Sequence, residues 1–213
     1  MTKNKVNIVL VGGGGHCRSC IELIESTQKY TIVGILDLPE KIGEKVLGYE
    51  VIGNDNDYLK YKNLNYSFVV TTGQIKSSRI RKRIFKKLEE IEADIATIIS
   101  PTATVSKHAE IGNGTVVLHH CVINAGARIG DNCIINTASI IEHDVKINSH
   151  THISTNAVVN GDAKVGSNVF VGSNTCISNG VSVGDEVVIG AGSTVISDIV
   201  EVGTYLGTPA KKI

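Results

Sequence analysis

The 213-residue chain balances 21 Lys and Arg against 21 Asp and Glu, so its charge gives no reason to expect nucleic acid or a membrane as a main partner. Hydrophobic residues make up 42%, which excludes wholesale disorder, yet aromatics are only 4% and Trp is absent. A core of that kind is built from Val, Ile and Ala, and it favours repetitive strands over an ordinary globular interior. No apolar run approaches the ~18 residues of a membrane span, and the polar start leads straight into a strand. With five Cys and no secretory signal, reduced thiols and a cytoplasmic location are expected.

In chain order, the pattern predicts a strand over residues 6–11, a glycine loop at 12–15, and a helix over 16–28 with Cys20, Leu23 and Ile24 at helical spacing. Strands follow at 30–38 and 46–52, then a short helix at 54–61 and a buried strand at 66–72. A helix over 77–91 comes next, with Ile80, Ile84 and Leu88 on one face. Alternation of this kind implies a small parallel α/β sheet. The cations Arg79, Arg81, Lys82, Arg83, Lys86 and Lys87 read as the solvated face of that last helix, in preference to a nucleic-acid patch.

After Ser100 the period changes. Every sixth residue from Val105 to Val195 is Val or Ile, and two residues before each stands a small or β-branched side chain, such as Ala127, Cys133 or Ser139. Just after the aliphatic residues lie Gly112, Asn124, Gly130, Asn136, Gly166, Gly184 and their equivalents, which read as the turn-tolerant positions. A strict six-residue repeat is the signature of a parallel β-helix, with three hexapeptides to one triangular coil. This run spans about five coils, roughly 25 Å at ~4.8 Å per rung.

Together, Gly12-Gly-Gly-Gly-His16, Asn136-Thr-Ala-Ser-Ile-Ile-Glu-His143-Asp144 and Gly207-Thr-Pro-Ala-Lys211 resemble the bacterial acetyltransferases that N-acetylate nucleotide-linked amino sugars, with the related sialic acid O-acetyltransferases. The resemblance spans essentially the whole chain; at the loop, Cys17 stands after His16 where that family commonly has Gly. It implies an α/β nucleotide-sugar-binding domain over 1–98 and a left-handed β-helix over 99–213. The implied activity is transfer of acetyl from acetyl-CoA to an amino-deoxy sugar, for surface glycan synthesis, by a homotrimer without a metal. The alternatives are sialic acid O-acetylation and, from another class, a scaffold that binds a nucleotide sugar without catalysis.

Acetyl transfer to an amine needs a group that removes a proton as nitrogen attacks, and a neutral imidazole suits that task near pH 7. His143 has that chemistry between two acids, Glu142 and Asp144, either of which could orient it. The family assigns the base to His143 and the support to Asp144. By the same resemblance, Gly13, Gly14, His16, Asp37 and Asn136 are expected at the sugar-nucleotide. His152, Gly161, Gly190, Ala191 and Lys211 are expected along the coenzyme. A zinc site is not expected, because no two of His108, His119, His120, His143, His150 and His152 are 18 apart. Nor is a redox dinucleotide site, because Cys17 stands where the third glycine of that loop would be.

Overall fold

The computed structural model describes residues 5–75 and 77–213. The chain divides into two compact units, one drawn from Met1–Gly73 with Arg79–Ile98, the other from Gln74–Ser78 with Ile99–Ile213. The sequence pattern suggests one continuous cut near residue 98; Gln74–Ser78 departs from it by packing with the second unit.

The first unit is a five-stranded sheet. Strands β1 (Val6–Val11), β2 (Tyr30–Leu36), β4 (Tyr49–Gly53) and β5 (Ser67–Val70) run parallel, and β3 (Lys45–Val46) closes a hairpin onto β4, giving the order β3-β4-β2-β1-β5. The stretch expected as one strand over 46–52 is therefore two, because Leu47 and Gly48 both take positive φ and reverse the chain. In β1 the residues from Ile8 to Val11 are all buried, as are all four of β5. Such runs are what a sheet covered on both faces requires. Helix α1 (Gly15–Thr27) buries Cys17, Cys20, Ile21, Leu23 and Ile24. The short helix begins as a 3-10 turn at Asp55–Asp57, capped reciprocally by Asn54 and Asp57, before α2 (Tyr58–Asn63).

Helix α3 (Arg79–Glu90) is rotated from the expected orientation. Ile80 is 57% exposed, and the buried stripe is Arg81, Ile84, Phe85 and Leu88. A cation occupies the stripe because its guanidinium caps strand ends: Arg81 Nη1 donates to the carbonyls of Val70, at 2.6 Å, and Thr72, at 3.0 Å.

The second unit is the left-handed parallel β-helix. Two-residue strands stack at intervals of 18 into three faces. One runs Thr104–Val105 to Thr194–Val195, the second Glu110–Ile111 to Ser182–Val183, and the third includes Val116–Val117 up to Thr204–Leu206. The hexad aliphatics from Val117 to Val195 are essentially all buried in a single core with Cys121, Ala127, Cys133, Ala157 and Ala163. The corners correct one expectation. Positive φ recurs every six residues from Gly114 to Gly192, three positions after each aliphatic residue, and Asn or Asp holds six of those fourteen sites and Gly four. Where glycine stands one position after the aliphatic residue, it serves a different purpose. A Cβ on Gly130 would lie 2.6 Å from the Ser149 amide, and one on Gly172 would lie 2.5 Å from that of Ala191. The next coil simply passes too close.

Candidate active site

His143 stands on a coil corner between the first and second faces, its side chain 62% exposed. The next residue, Asp144, occupies the positive-φ position, with φ 61. That turn brings its carboxylate back beside the ring, so that His143 Nδ1–H donates to Asp144 Oδ2 at 3.0 Å. The hydrogen bond to Asp144 raises the His143 pKa above 6.5 against the opposing effect of desolvation, and the charges of Asp144, Glu142 and Asp162 add to the rise. With Nδ1 carrying the proton, Nε2 has the free lone pair of a base.

Two glycines make room for this pair. A Cβ at Gly161, one coil on, would sit 2.7 Å from both Cε1 and Nε2 of His143, and a Cβ at Gly126 would sit 2.4 Å from Asp144 Oδ1. Glu142 turns elsewhere, accepting from Asn124 Nδ2 at 2.9 Å, so it acts on His143 through charge and not contact. Between the two acids, Asp144 is the one that holds the ring.

The third face holds a second histidine in a different state. His152 is 6% exposed. Its Nδ1–H donates to the Gln74 carbonyl at 2.6 Å, its Nε2 lies 3.1 Å from Asn136 Nδ2, and Phe170 meets it edge-on at 5.2 Å. Gln74 is fixed in turn by Nε2 donating to the Val169 carbonyl at 3.2 Å, and Ser78 Oγ donates to Asn168 Oδ1 at 2.9 Å. His152 is therefore a buried anchor for the 74–78 segment. Asn136, expected at the acceptor, is engaged at both ends of its amide: Oδ1 accepts from the Thr137 N–H at 2.8 Å while Nδ2 faces His152. Nothing in the sequence pattern points to Gln74.

The residues expected along the coenzyme separate in the same way. The Gly190 N–H is spent on the Tyr205 carbonyl at 2.8 Å, and Leu206 lies over its Cα, so its amide is not open to a ligand. The Gly161 and Ala191 N–H groups have no partner among the described residues. Lys211 is exposed on a two-residue strand paired with Leu206.

In the first unit a cavity of about 470 Å³ is lined by Gly12, Gly13, Gly14, Asp37, Lys41, Asn54, Thr72, Gly73 and Arg83, among others. Gly12 has φ +107 and lies against Thr72, where no side chain fits. Asp37 locks the loop, accepting from the Gly13 N–H at 2.7 Å, the Leu38 N–H at 2.8 Å and Lys41 Nζ at 3.1 Å. Partial burial pulls the Asp37 carboxyl upward, but the Leu38 and Gly13 amides and Lys41 outweigh it and hold the pKa below the usual value. Open space lies over Gly14 and Gly15 at the start of α1. His16, in the first turn, packs beside Gly73. The basic run of α3 does not form a uniform solvated face: Arg81 is buried, Arg83 lines the cavity, and Lys87 pairs with Asp55 at 2.9 Å.

All five cysteines are free; burial pushes Cys17 up to about 11 and Cys20 up to about 12. Among the described residues no three His, Cys, Asp or Glu side chains are grouped to hold a metal ion, and no helix is long and apolar enough to cross a membrane.

Comparison with known proteins supports the two-part fold. Residues 7–88 match the family described as the PglD N-terminal domain, and residues 163–197 match the hexapeptide repeat of succinyl-transferase. The acetyltransferase domain of PglB from Neisseria gonorrhoeae FA1090, solved with acetyl coenzyme A, is 30% identical over 99% of this chain and 100% of that one, with a TM-score of 0.90. The chain belongs to this family of hexapeptide-repeat acetyltransferases. PerB from Caulobacter crescentus, solved with CoA and GDP-perosamine, is 29% identical over 97% of each chain, TM-score 0.90. A curated relative, UDP-N-acetylbacillosamine N-acetyltransferase of Bacillus subtilis (strain 168), is 34% identical over 115 residues. That match spans about half of each protein, 53% of this chain and 51% of the relative.

Proposed function

We propose that this chain is an acetyl-CoA-dependent N-acetyltransferase acting on a nucleotide-linked amino-deoxy sugar, in the synthesis of surface glycans. The observation that carries the reading is the His143–Asp144 pair, whose Nδ1–H is committed at 3.0 Å and whose Nε2 projects over a glycine one coil away. On this reading the sugar amine attacks the thioester carbonyl of acetyl-CoA while Nε2 takes the amine proton. The tetrahedral intermediate then collapses, the C–S bond breaks, and the proton returns from the imidazolium to the leaving sulfur. The products are the acetamido sugar and free coenzyme A. The unspent Gly161 and Ala191 amides are donors for the coenzyme's amides or for the developing oxyanion. We read the transfer as direct, with Cys17, Cys20, Cys121 and Cys133 buried as part of the fold.

The glycine-loop cavity takes the nucleotide handle. Open glycines at a helix start, with Lys41 and Arg83 on the walls, suit a diphosphate. The reading extends to a homotrimer, supported by the outward column Val122, Ile140 and Val158 on the first face, an apolar strip that a second copy would cover. It also includes the cytoplasm, where acetyl-CoA is supplied and free thiols stay reduced.

The test is acetylation of UDP-, dTDP- and GDP-linked amino sugars, the matching free sugars, and sialic acid, followed by release of the coenzyme thiol. A nucleotide amino sugar should be turned over fastest, and removing the nucleotide should lower kcat/KM sharply. Preference for sialic acid overturns the assignment.

A further inference from the structure

The second face of the β-helix carries an arrangement that the chemistry above does not use. Its outward column reads Glu110, Arg128, Lys146, Lys164, Ser182, each paired in register with the next on parallel strands. Three cations thus stand on successive rungs, all exposed, ~4.8 Å apart. Like charges directly opposite each other destabilise a sheet, and here only one acid shares the column. Glu110 approaches Arg128, at 3.6 Å; among the described residues Lys146 and Lys164 pair with no acid. Glu110, Arg128 and Lys146 of the column line an open groove of about 420 Å³ together with Asn148, Ser149 and Ser167, and Lys164 stands one rung beyond them. A cationic ladder beside a polar trough is complementary to a multiply charged anion, and lysines are point-charge binders of phosphate.

Position selects which anion. Lys146 follows His143 by three residues on the same coil, so their Cα atoms lie within ~11 Å of each other. The ladder then continues along the prism, away from that rung, in both directions. A substrate whose reacting carbonyl sits at His143 and whose phosphates hang on a long flexible arm meets these requirements.

We propose that Arg128, Lys146 and Lys164 form an anion-binding ladder for the phosphates of coenzyme A. The inference rests on the acetyl-CoA reading above. A sugar-nucleotide diphosphate has the same chemistry, but its handle is provided for by the glycine-loop cavity, in the other unit.

The experiment uses the full chain and the double variant Lys146→Gln/Lys164→Gln, with a thermal melt to show that both are folded. Steady-state kinetics compares acetyl-CoA with acetyl-pantetheine, which has the arm and thioester but no phosphates. The KM for acetyl-CoA should rise about tenfold in the variant, at an unchanged kcat and an unchanged KM for the nucleotide sugar. The KM for acetyl-pantetheine should not move. Glu110→Gln, which removes the competing acid, should lower the KM for acetyl-CoA. An unaltered KM for acetyl-CoA, an equal rise with acetyl-pantetheine, or a rise confined to the nucleotide sugar overturns the proposal. If the wild type turns over no acetyl donor, the acetyltransferase reading fails. Calorimetric titration of coenzyme A and of pantetheine into both proteins then still decides the ladder: it stands if only coenzyme A loses affinity in the variant, and falls if both or neither do.

Discussion

The His143 corner and the glycine loop solve the same problem, holding a polar group in a fixed place, by opposite means. At the corner the backbone is a lattice. Asp144 faces the His143 ring because it occupies one of the positive-φ positions that recur every six residues, and the space for both side chains comes from glycines one coil away on either side. In the loop nothing repeats. Gly12 is held by Thr71, whose Oγ1 donates to its carbonyl, and hemmed in by Thr72, while Gly13 is held by Asp37, itself fixed by Leu38 and Lys41. A lattice confines the effect of a substitution to the side chain altered, whereas a loop built from mutual contacts spreads it. Activity and stability should therefore separate at the corner and move together in the loop.

The sharpest test of that separation is His143→Ala. An exposed corner side chain contributes little to the fold, so the melting temperature should barely change, while kcat falls by about 10²–10⁴ with acetyl-CoA affinity retained. Near-normal kcat at neutral pH would remove His143 as the base. Gly161→Ala comes next. Its Cβ would fall 2.7 Å from two ring atoms of His143, and the ring can swing outward into solvent. A misplacement of about 1 Å is enough to cost ~10² in kcat, again with little loss of stability. A large drop in melting temperature with unchanged kcat would show that the glycine serves the fold and not the ring.

Much of this was legible from residue order alone, and the reason is the repeat. A register kept from Val105 to Val195 without a break places the coils, the buried aliphatics and the corner that His143 occupies. What the repeat could not convey was where outside segments attach. His152 reads as one more outward residue of the lattice, yet a loop from between β5 and α3 covers it and takes its Nδ1–H. The same limit hid the orientation of α3. Hydrophobic spacing assigns Ile80 to the core, whereas a buried Arg81 capping two carbonyls takes that place. Turn chemistry was misread by two positions, because glycine marks close approach between coils and Asn, Asp or Gly marks the left-handed residue.

In the loop, Gly12→Ala should show the coupling missing at the corner. A side chain there must adopt φ +107 and meet Thr72 Oγ1 at 2.1 Å and the Thr72 amide at 3.0 Å. Strain of this kind costs about 1–3 kcal/mol, and its relief displaces the cavity wall. A lower melting temperature should accompany a KM for the nucleotide sugar raised by about tenfold or more. A change in one without the other would contradict the contrast between the two sites.

The smallest expected effect is the most specific to the chemistry, the pH response of Asp144→Asn. The active form of the base is the neutral imidazole, so the rate rises as pH increases through the His143 pKa. Asp144 is the main cause of that pKa standing above 6.5, with Glu142 and Asp162 adding to it. Asparagine can still accept the Nδ1–H bond, which preserves the ring's tautomer and direction, but it brings no charge. The imidazolium loses its best stabiliser, and the acid limb of kcat against pH should move to lower pH. The plateau rate should fall only severalfold, because a less basic imidazole is a weaker proton acceptor. Glu142→Gln should move the limb in the same direction and by less, since that carboxylate is bonded to Asn124 and reaches the ring through charge alone. A limb displaced to higher pH, or one that responds more to Glu142 than to Asp144, would assign the supporting role to the wrong acid.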